Sequence, residues 1–155
     1  MFVYETGLTT NRIALFFTIM EQPAPKELKR IFTKVFEDTT YCQRMEIFNP
    51  GHGPHDDGSA IDIFLNANDP DERKLADAIV RVLVSEKPRI KWGAIIWNRQ
   101  TWDNRGGPVP YEQQQTMPHT DHIHIEWGPK GRMTRDFPGL EEKLATVLAN
   151  HQAGE

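Results

Sequence analysis

The sequence predicts an α+β fold in a single domain spanning 1–155. Three observations point there. Apolar residues recur at intervals of three and four in three separate segments. Short apolar runs of strand length lie between those segments. No linker, repeat or low-complexity tract divides the chain.

Near the start, the apolar run Ile13 to Met20 reads as a core strand or short helix. Pro23-Ala24-Pro25 opens a helix whose inward face is Leu28, Ile31, Phe32, Val35 and Phe36. Met45 to Phe48 reads as a strand, ended by Asn49-Pro50-Gly51. A loop with His52 and His55 follows, then a strand from Ala60 to Leu65. Asp69-Pro70-Asp71-Glu72 is a helix start: Asp69 caps, Pro70 fits the first turn, and Glu72 completes a capping box. That helix turns Leu75, Ala78, Ile79, Val82 and Leu83 inward and stops before Pro88. Ile90 to Trp97 reads as a buried strand. Asn98 to Pro118 is polar and rich in Gly, Pro and Gln, long for a plain connector, so it is expected to form a cleft wall. His122 to Trp127 is another strand. Leu140, Leu144, Val147 and Leu148 mark a final amphipathic helix.

Composition narrows the function classes. The net charge of −4 gives no basic footprint for nucleic acid. The Ile13–Met20 run is shorter than the roughly 20 residues a spanning helix needs, so no membrane association is expected. Its flanks, with Glu5 before Arg12 and Glu21-Gln22-Pro23 after, do not suit a secretory leader. The chain is therefore expected to be made in the cytoplasm without one. The lone cysteine, Cys42, allows no intrachain disulfide and no thiolate-rich metal site, and it reads as a small buried hydrophobe.

Five of the six histidines fall in two short windows, 51–62 and 119–124. The first holds His52, His55 and Asp62; the second holds His119, Asp121, His122 and His124. In a strand, alternate side chains share a face. His122 and His124 would thus point one way and Ile123 and Ile125 the other. His55, Asp62 and one imidazole of the His-x-His pair make an open three-ligand site, and zinc suits that set. Such an ion lowers the pKa of a bound water to roughly 7 and polarises a carbonyl. His122 and Asp121 are both candidates for the base that takes the proton. His119 is placed to stabilise an oxyanion or orient water.

Blander readings exist for each residue. A His-x-His pair alone is more often core or surface packing than a ligand pair; the two joint clusters with aspartate are what favour a metal. His52 reads as structural or as a partner behind a metal ligand, His151 as solvated, and Asp56 and Asp57 as caps of the turn. Trp92 and Trp127 read as core. Trp97 and Trp102 flank the long polar segment and suit either a cleft wall or the core.

The pattern His55-x-x-Gly58-x-Ala60-x-Asp62 followed by His119-x-x-His122-x-His124 resembles the zinc peptidases of the lysostaphin, D-Ala-D-Ala peptidase and hedgehog superfamily. The resemblance covers roughly residues 51 to 128. It implies a small antiparallel sheet with helices on one side, and peptidoglycan stem peptides or crosslinks as substrate. By position it implies His55, Asp62 and His124 as zinc ligands, and His122 as base or oxyanion partner. It also implies His119 as a further active-site residue, and Asp121 where one branch places a catalytic glutamate.

The chain departs from that pattern in places. Gly53 stands where the family often has serine, and the upstream Ser-Gly-Tyr-Arg segment is missing. Arg44 or Arg99 would have to take that arginine's part in binding a substrate carboxylate, with Trp97 and Trp102 as further substrate contacts. The identity of the base stays open, because aspartate at 121 is shorter than glutamate. Three functions compete: a cell-wall zinc peptidase, a hedgehog-like module that keeps zinc but only binds, and a histidine-pair phosphoesterase. The full set of His119, Asp121 and His122 favours catalysis, and the second copy of a His-x-Thr element that the phosphoesterase requires is missing. An enzyme of this kind suits a phage endolysin or a delivered antibacterial toxin. A toxin would imply an immunity protein as partner, and either would act on the wall in the periplasm.

Overall fold

The computed structural model describes residues 21–155. The Ile13–Met20 segment lies outside them. Four helices, α1 (Pro23–Phe36), α2 (Pro70–Ser85), α3 (Lys87–Ile90) and α4 (Leu140–Gln152), accompany six strands. The strands are β1 (Met45–Glu46), β2 (Ala60–Phe64), β3 (Ala94–Trp97), β4 (Gln100–Asp103), β5 (Gly106–Pro110) and β6 (His122–Glu126). They form one open antiparallel sheet in the order β1-β2-β6-β3-β4-β5. The expected α+β class therefore holds at the level of an antiparallel sheet with helices.

Alternation along the strands separates two faces. Ile61 and Ile63 of β2, Ile95 and Trp97 of β3, and Ile123 and Ile125 of β6 are all within 1% of full burial. They join Leu28, Phe32, Leu75, Ile79 and Leu144 of the helices in one hydrophobic core. The opposite face carries Ala60, Asp62, Ile96, His122, His124 and Glu126. Register fixes this arrangement: Asp62 lies opposite His124, and Ile61 opposite Ile125. A one-residue slip would bury the histidines among the helices.

The α2 start follows local chemistry with one change. Asp69 Oδ1 accepts from Asp71 N at 2.9 Å and Glu72 N at 3.2 Å. Glu72 does not close a capping box; its Oε2 accepts from Asn66 N at 2.6 Å. The buried stripe of α2 runs through Leu75, Ala76, Ile79, Val80 and Leu83 rather than through Ala78 and Val82, which are half-buried.

Two expectations near the middle of the chain are corrected. Ile90 to Trp97 is not one strand. Ile90 ends α3, Lys91 turns the chain with φ of 58°, and β3 begins only at Ala94. The segment 98–118 is not wholly irregular, since β4 and β5 form a hairpin within it. Asp103 caps the turn through Arg105 N at 2.7 Å. β5 reads Gly-Gly-Pro-Val-Pro and is exposed throughout, so only its pairing with β4 makes it a strand.

Candidate metal centre and cleft

The loop before β2 folds into a short 3-10 turn over Gly53–His55. Gly53 and Gly58 have φ of 61° and 72°, which other residues rarely adopt, and these let the turn bring His55 beneath β2. Asp56 Oδ1 accepts from Gly51 N at 2.6 Å and Asp57 Oδ1 from Ser59 N at 3.1 Å, so both cap the turn as expected. His55 is 3% exposed, and its Nδ1–H donates to Ile47 O at 2.8 Å. That bond leaves Nε2 with a free lone pair.

Three donor atoms converge there. His55 Nε2 lies 3.2 Å from Asp62 Oδ1 and 3.2 Å from His124 Nδ1. His124 Nδ1 lies 2.9 Å from Asp62 Oδ1. A tetrahedral ion with bonds of about 2.0–2.2 Å separates its ligands by roughly 3.3–3.6 Å. To match, the two 3.2 Å edges need to open by about 0.1–0.4 Å and the 2.9 Å edge by about 0.4–0.7 Å. All three residues are buried, and together they could hold a metal ion.

Charge in this cluster is strongly biased. Burial opposes ionisation of Asp62, but hydrogen bonds to His124 and His55 and the nearby imidazoles outweigh it. Its carboxyl is held well below the usual carboxylate range. Burial likewise opposes charge on His124, while Asp62 and Glu126 outweigh it and lift its pKa to about 9. Asp62 and His124, 2.9 Å apart, thus each favour the charged form of the other.

His122 and His119 stand beside the triangle. His122 Nδ1–H donates to Asp121 Oδ1 at 2.8 Å, which turns Nε2 inward, 3.6 Å from Asp62 Oδ1. Asp121 itself is 74% exposed in its side chain and faces His122 rather than the ligands. His119 Nδ1–H donates to Met117 O at 2.8 Å. Its ring lies 4.7 Å from that of His122 and 5.6 Å from that of His124. Burial pushes the His119 pKa down to about 4, so the ring is neutral near pH 7.

These groups sit in a cleft of about 830 Å³ on the sheet face opposite the helices. Its walls include Asn49 to His55 on one side and Tyr111, Gln113, Met117 and Pro118 on the other. The second half of the 98–118 segment is therefore a cleft wall, and the hairpin before it is not. Exposed His52 lies at the rim and is not part of the ligand triangle.

The four expected substrate contacts lie elsewhere. Trp97 is 1% exposed, and its Nε1–H donates to Asp77 Oδ1 of α2 at 2.8 Å. Alternation along β3 gives the cleft to Ile96 instead. Trp102 is opposite Ile95 and so also turns to the helices, lining a cavity of about 380 Å³ against α2. Arg99 sits in the tight turn after β3 with φ of 65°, is exposed, and is not among the residues that line the cleft. Arg44 lies 3.9 Å above the Phe64 ring and pairs with Glu46 at 2.9 Å. Phe64 stands between it and His122, with ring centroids 5.4 Å apart.

Other isolated residues resolve simply. Cys42, Trp92 and Trp127 are buried, as expected. His151 is not solvated: its side chain is 5% exposed, its ring packs edge-on to Tyr41, and Nε2 lies 3.1 Å from Asp71 Oδ1. The C-terminal end of α4 reaches back to the start of α2, which sequence proximity does not reveal.

The sequence reading singles out neither Glu126 nor, within the expected cleft wall, Tyr111. Glu126 shares the face of His122 and His124, and its Oε2 lies 3.1 Å from His124 Nε2. Extending the strand alternation by one step would have found it. Tyr111 lies edge-on to His119 at 5.1 Å, and no local pattern marks it.

A family model described as VldE, C-terminal domain matches residues 21–124. The chain belongs to that family. The match takes in His55, Asp62, His119, Asp121, His122 and His124, so the whole ligand triangle falls within the VldE C-terminal domain and Glu126 falls just past its end. No curated protein and no solved structure matches the chain. The zinc-peptidase resemblance consequently rests on the sequence motifs alone.

Proposed function

We propose that this protein is a zinc peptidase that cleaves peptidoglycan stem peptides or crosslinks. One observation carries the reading: three buried donors meet in a triangle of zinc dimensions, with the lone pair of a tautomer-fixed His122 beside it, inside an open cleft. Two imidazoles and one carboxylate with a position left open are a donor set of catalytic zinc sites, and the same set also accepts ferrous iron. When bound, zinc would supply Lewis acidity toward a peptide carbonyl and toward water.

The chain's own residues account for the proton path. His122 Nε2 accepts the proton that water loses as it adds to the carbonyl, and returns it to the departing amine as the C–N bond breaks. Asp121 holds the other nitrogen and so keeps Nε2 aimed inward. Neutral His119, with its Nδ1–H given to Met117 O, presents Nε2 as an acceptor that can orient the attacking water or a substrate N–H. Tyr111 and Met117 give the substrate an apolar wall.

The charge of the cleft favours an endopeptidase over a carboxypeptidase. Among the described residues its walls carry the carboxylates of Asp62, Asp121 and Glu126 and no lysine or arginine. A free terminal carboxylate is commonly recognised by a bidentate arginine, and neither Arg44 nor Arg99 reaches the site. An internal peptide bond makes no such demand. Both biological settings, endolysin and delivered toxin with an immunity protein, use the same chemistry at the cell wall.

The test is digestion of purified sacculi by the zinc-loaded protein, with muropeptides identified by mass spectrometry. Crosslinked dimers should fall to monomers, and chelation should stop the reaction. Intact sacculi after prolonged exposure to protein with verified zinc content would overturn the peptidase reading and favour a module that only binds.

A further inference from the structure

We propose that Glu126 is a positioning residue for the metal centre, acting through His124; this rests on the metal-centre reading above. His124 differs from its neighbours in which nitrogen it turns inward. His55 and His122 both spend Nδ1 on an outer acceptor and aim Nε2 at the cluster. His124 does the reverse: Nδ1 joins the triangle and Nε2 faces away from it. That nitrogen belongs to a ring only 6% exposed, so its proton needs a protein acceptor. Glu126 Oε2 supplies one at 3.1 Å.

The sheet is built to allow this contact. Glu126 lies directly opposite Ala60 on β2 and opposite Ala94 on β3. Directly opposed residues share a face at close range. Two alanines thus leave room on either side for the glutamate to fold along β6 onto His124, two residues back. A long side chain at either position would compete for that space. The alanine of the Gly58-x-Ala60-x-Asp62 pattern acquires a specific role: it clears the path for the acceptor of a ligand contributed by another strand. Glu126 is 34% exposed in its side chain, so without this partner it would simply extend into water.

A carboxylate behind a ligating imidazole does two things. It fixes the tautomer, so the lone pair stays on the inward nitrogen. It also makes the ring a stronger donor. Losing such a partner typically weakens metal binding about 10- to 100-fold.

The experiment measures Zn²⁺ affinity of the full chain by chelator competition, for wild type, Glu126→Ala and Glu126→Gln. Thermal unfolding of each metal-free form checks folding. NMR of the His124 ring in the zinc-loaded forms follows its Nε2 proton. Glu126→Ala should weaken zinc binding about 10- to 100-fold, and that proton should exchange faster with water. Glu126→Gln keeps an acceptor but not the charge, and should lie between. A purely structural glutamate would lower unfolding temperature and leave zinc affinity and the ring proton unchanged; that result, with wild type binding zinc, overturns this proposal alone. Wild type that binds no zinc overturns the metal centre with it.

Discussion

His122 Nδ1 lies 2.8 Å from Asp121 Oδ1, and under the proposed function this contact gives the two residues different tasks. Asp121 is exposed and points to the histidine, so it orients; His122 presents its other nitrogen to the ligand triangle. His122→Ala is expected to keep zinc and lose about 10² to 10⁴ of the rate on sacculi. Asp121→Asn should lose much less, about 10-fold, because the imidazole stays in place. Steady-state digestion with parallel metal analysis checks both. Equal losses in the two variants would return Asp121 to the role of base.

The ligand triangle makes a sharp prediction about stoichiometry. Wild type should bind one zinc per chain, and the His55→Ala, His124→Ala double variant should bind none, since one carboxylate cannot hold the ion alone. Metal analysis after dialysis decides it. Full occupancy in the double variant would place the site elsewhere.

Acidity should act on the metal-free and loaded proteins in opposite ways. The raised pKa of His124 contributes stability that is complete below its unfolded value of about 6.5 and is lost as pH rises through about 9. The depressed Asp62 contributes stability present above about 3.9 and lost as pH falls through its lower folded value. The metal-free protein should therefore lose unfolding temperature between about pH 6.5 and 9. Zinc must displace the His124 proton, so its affinity should rise about tenfold per pH unit over that same window. Thermal melts with and without chelator across pH 6 to 9.5 measure both trends.

Alternation made most of the site legible. The period of two in His-Ile-His-Ile put His122 and His124 on one face and the core isoleucines on the other, and the structure keeps that division. The same rule extended to Glu126 and to Ile95-Ile96-Trp97 would have found the missing carboxylate and sent Trp97 to the core. What could not be read locally is long-range. The hairpin of β4 and β5 depends on pairing that Gly-Gly-Pro-Val-Pro does not advertise. His151 meets Asp71 only because α4 packs on α2. For Arg44 the only sequence signal is charge, and charge does not say which side of Phe64 a guanidinium will occupy.

The division between faces can be tested on one strand. Ile125 is fully buried against the helices, one residue from His124 on the cleft side. Ile125→Ala should cost about 2–5 kcal/mol of stability while the folded protein still binds one zinc. Chemical denaturation with metal analysis below the transition checks this.

The two halves of the 98–118 segment should respond differently to substitution. Trp102 and Arg99 lie off the cleft, so Trp102→Ala and Arg99→Ala should leave kcat/KM on sacculi within about threefold of wild type, provided the proteins fold. Tyr111 and Met117 line the cleft, and Met117 is 46% exposed there with no core to serve. An apolar side chain left open beside a polar site suits contact with a substrate rather than packing. Met117→Glu adds a charge to a wall already acidic, and Tyr111→Ala removes the ring beside His119. Both should lower kcat/KM about tenfold or more while zinc content stays at one, since neither residue belongs to the ligand triangle. Muropeptide release at several sacculus concentrations, with metal analysis on each variant, makes the comparison. Loss of activity in Trp102→Ala with Met117→Glu unaffected would put the substrate on the α2 side of the hairpin instead.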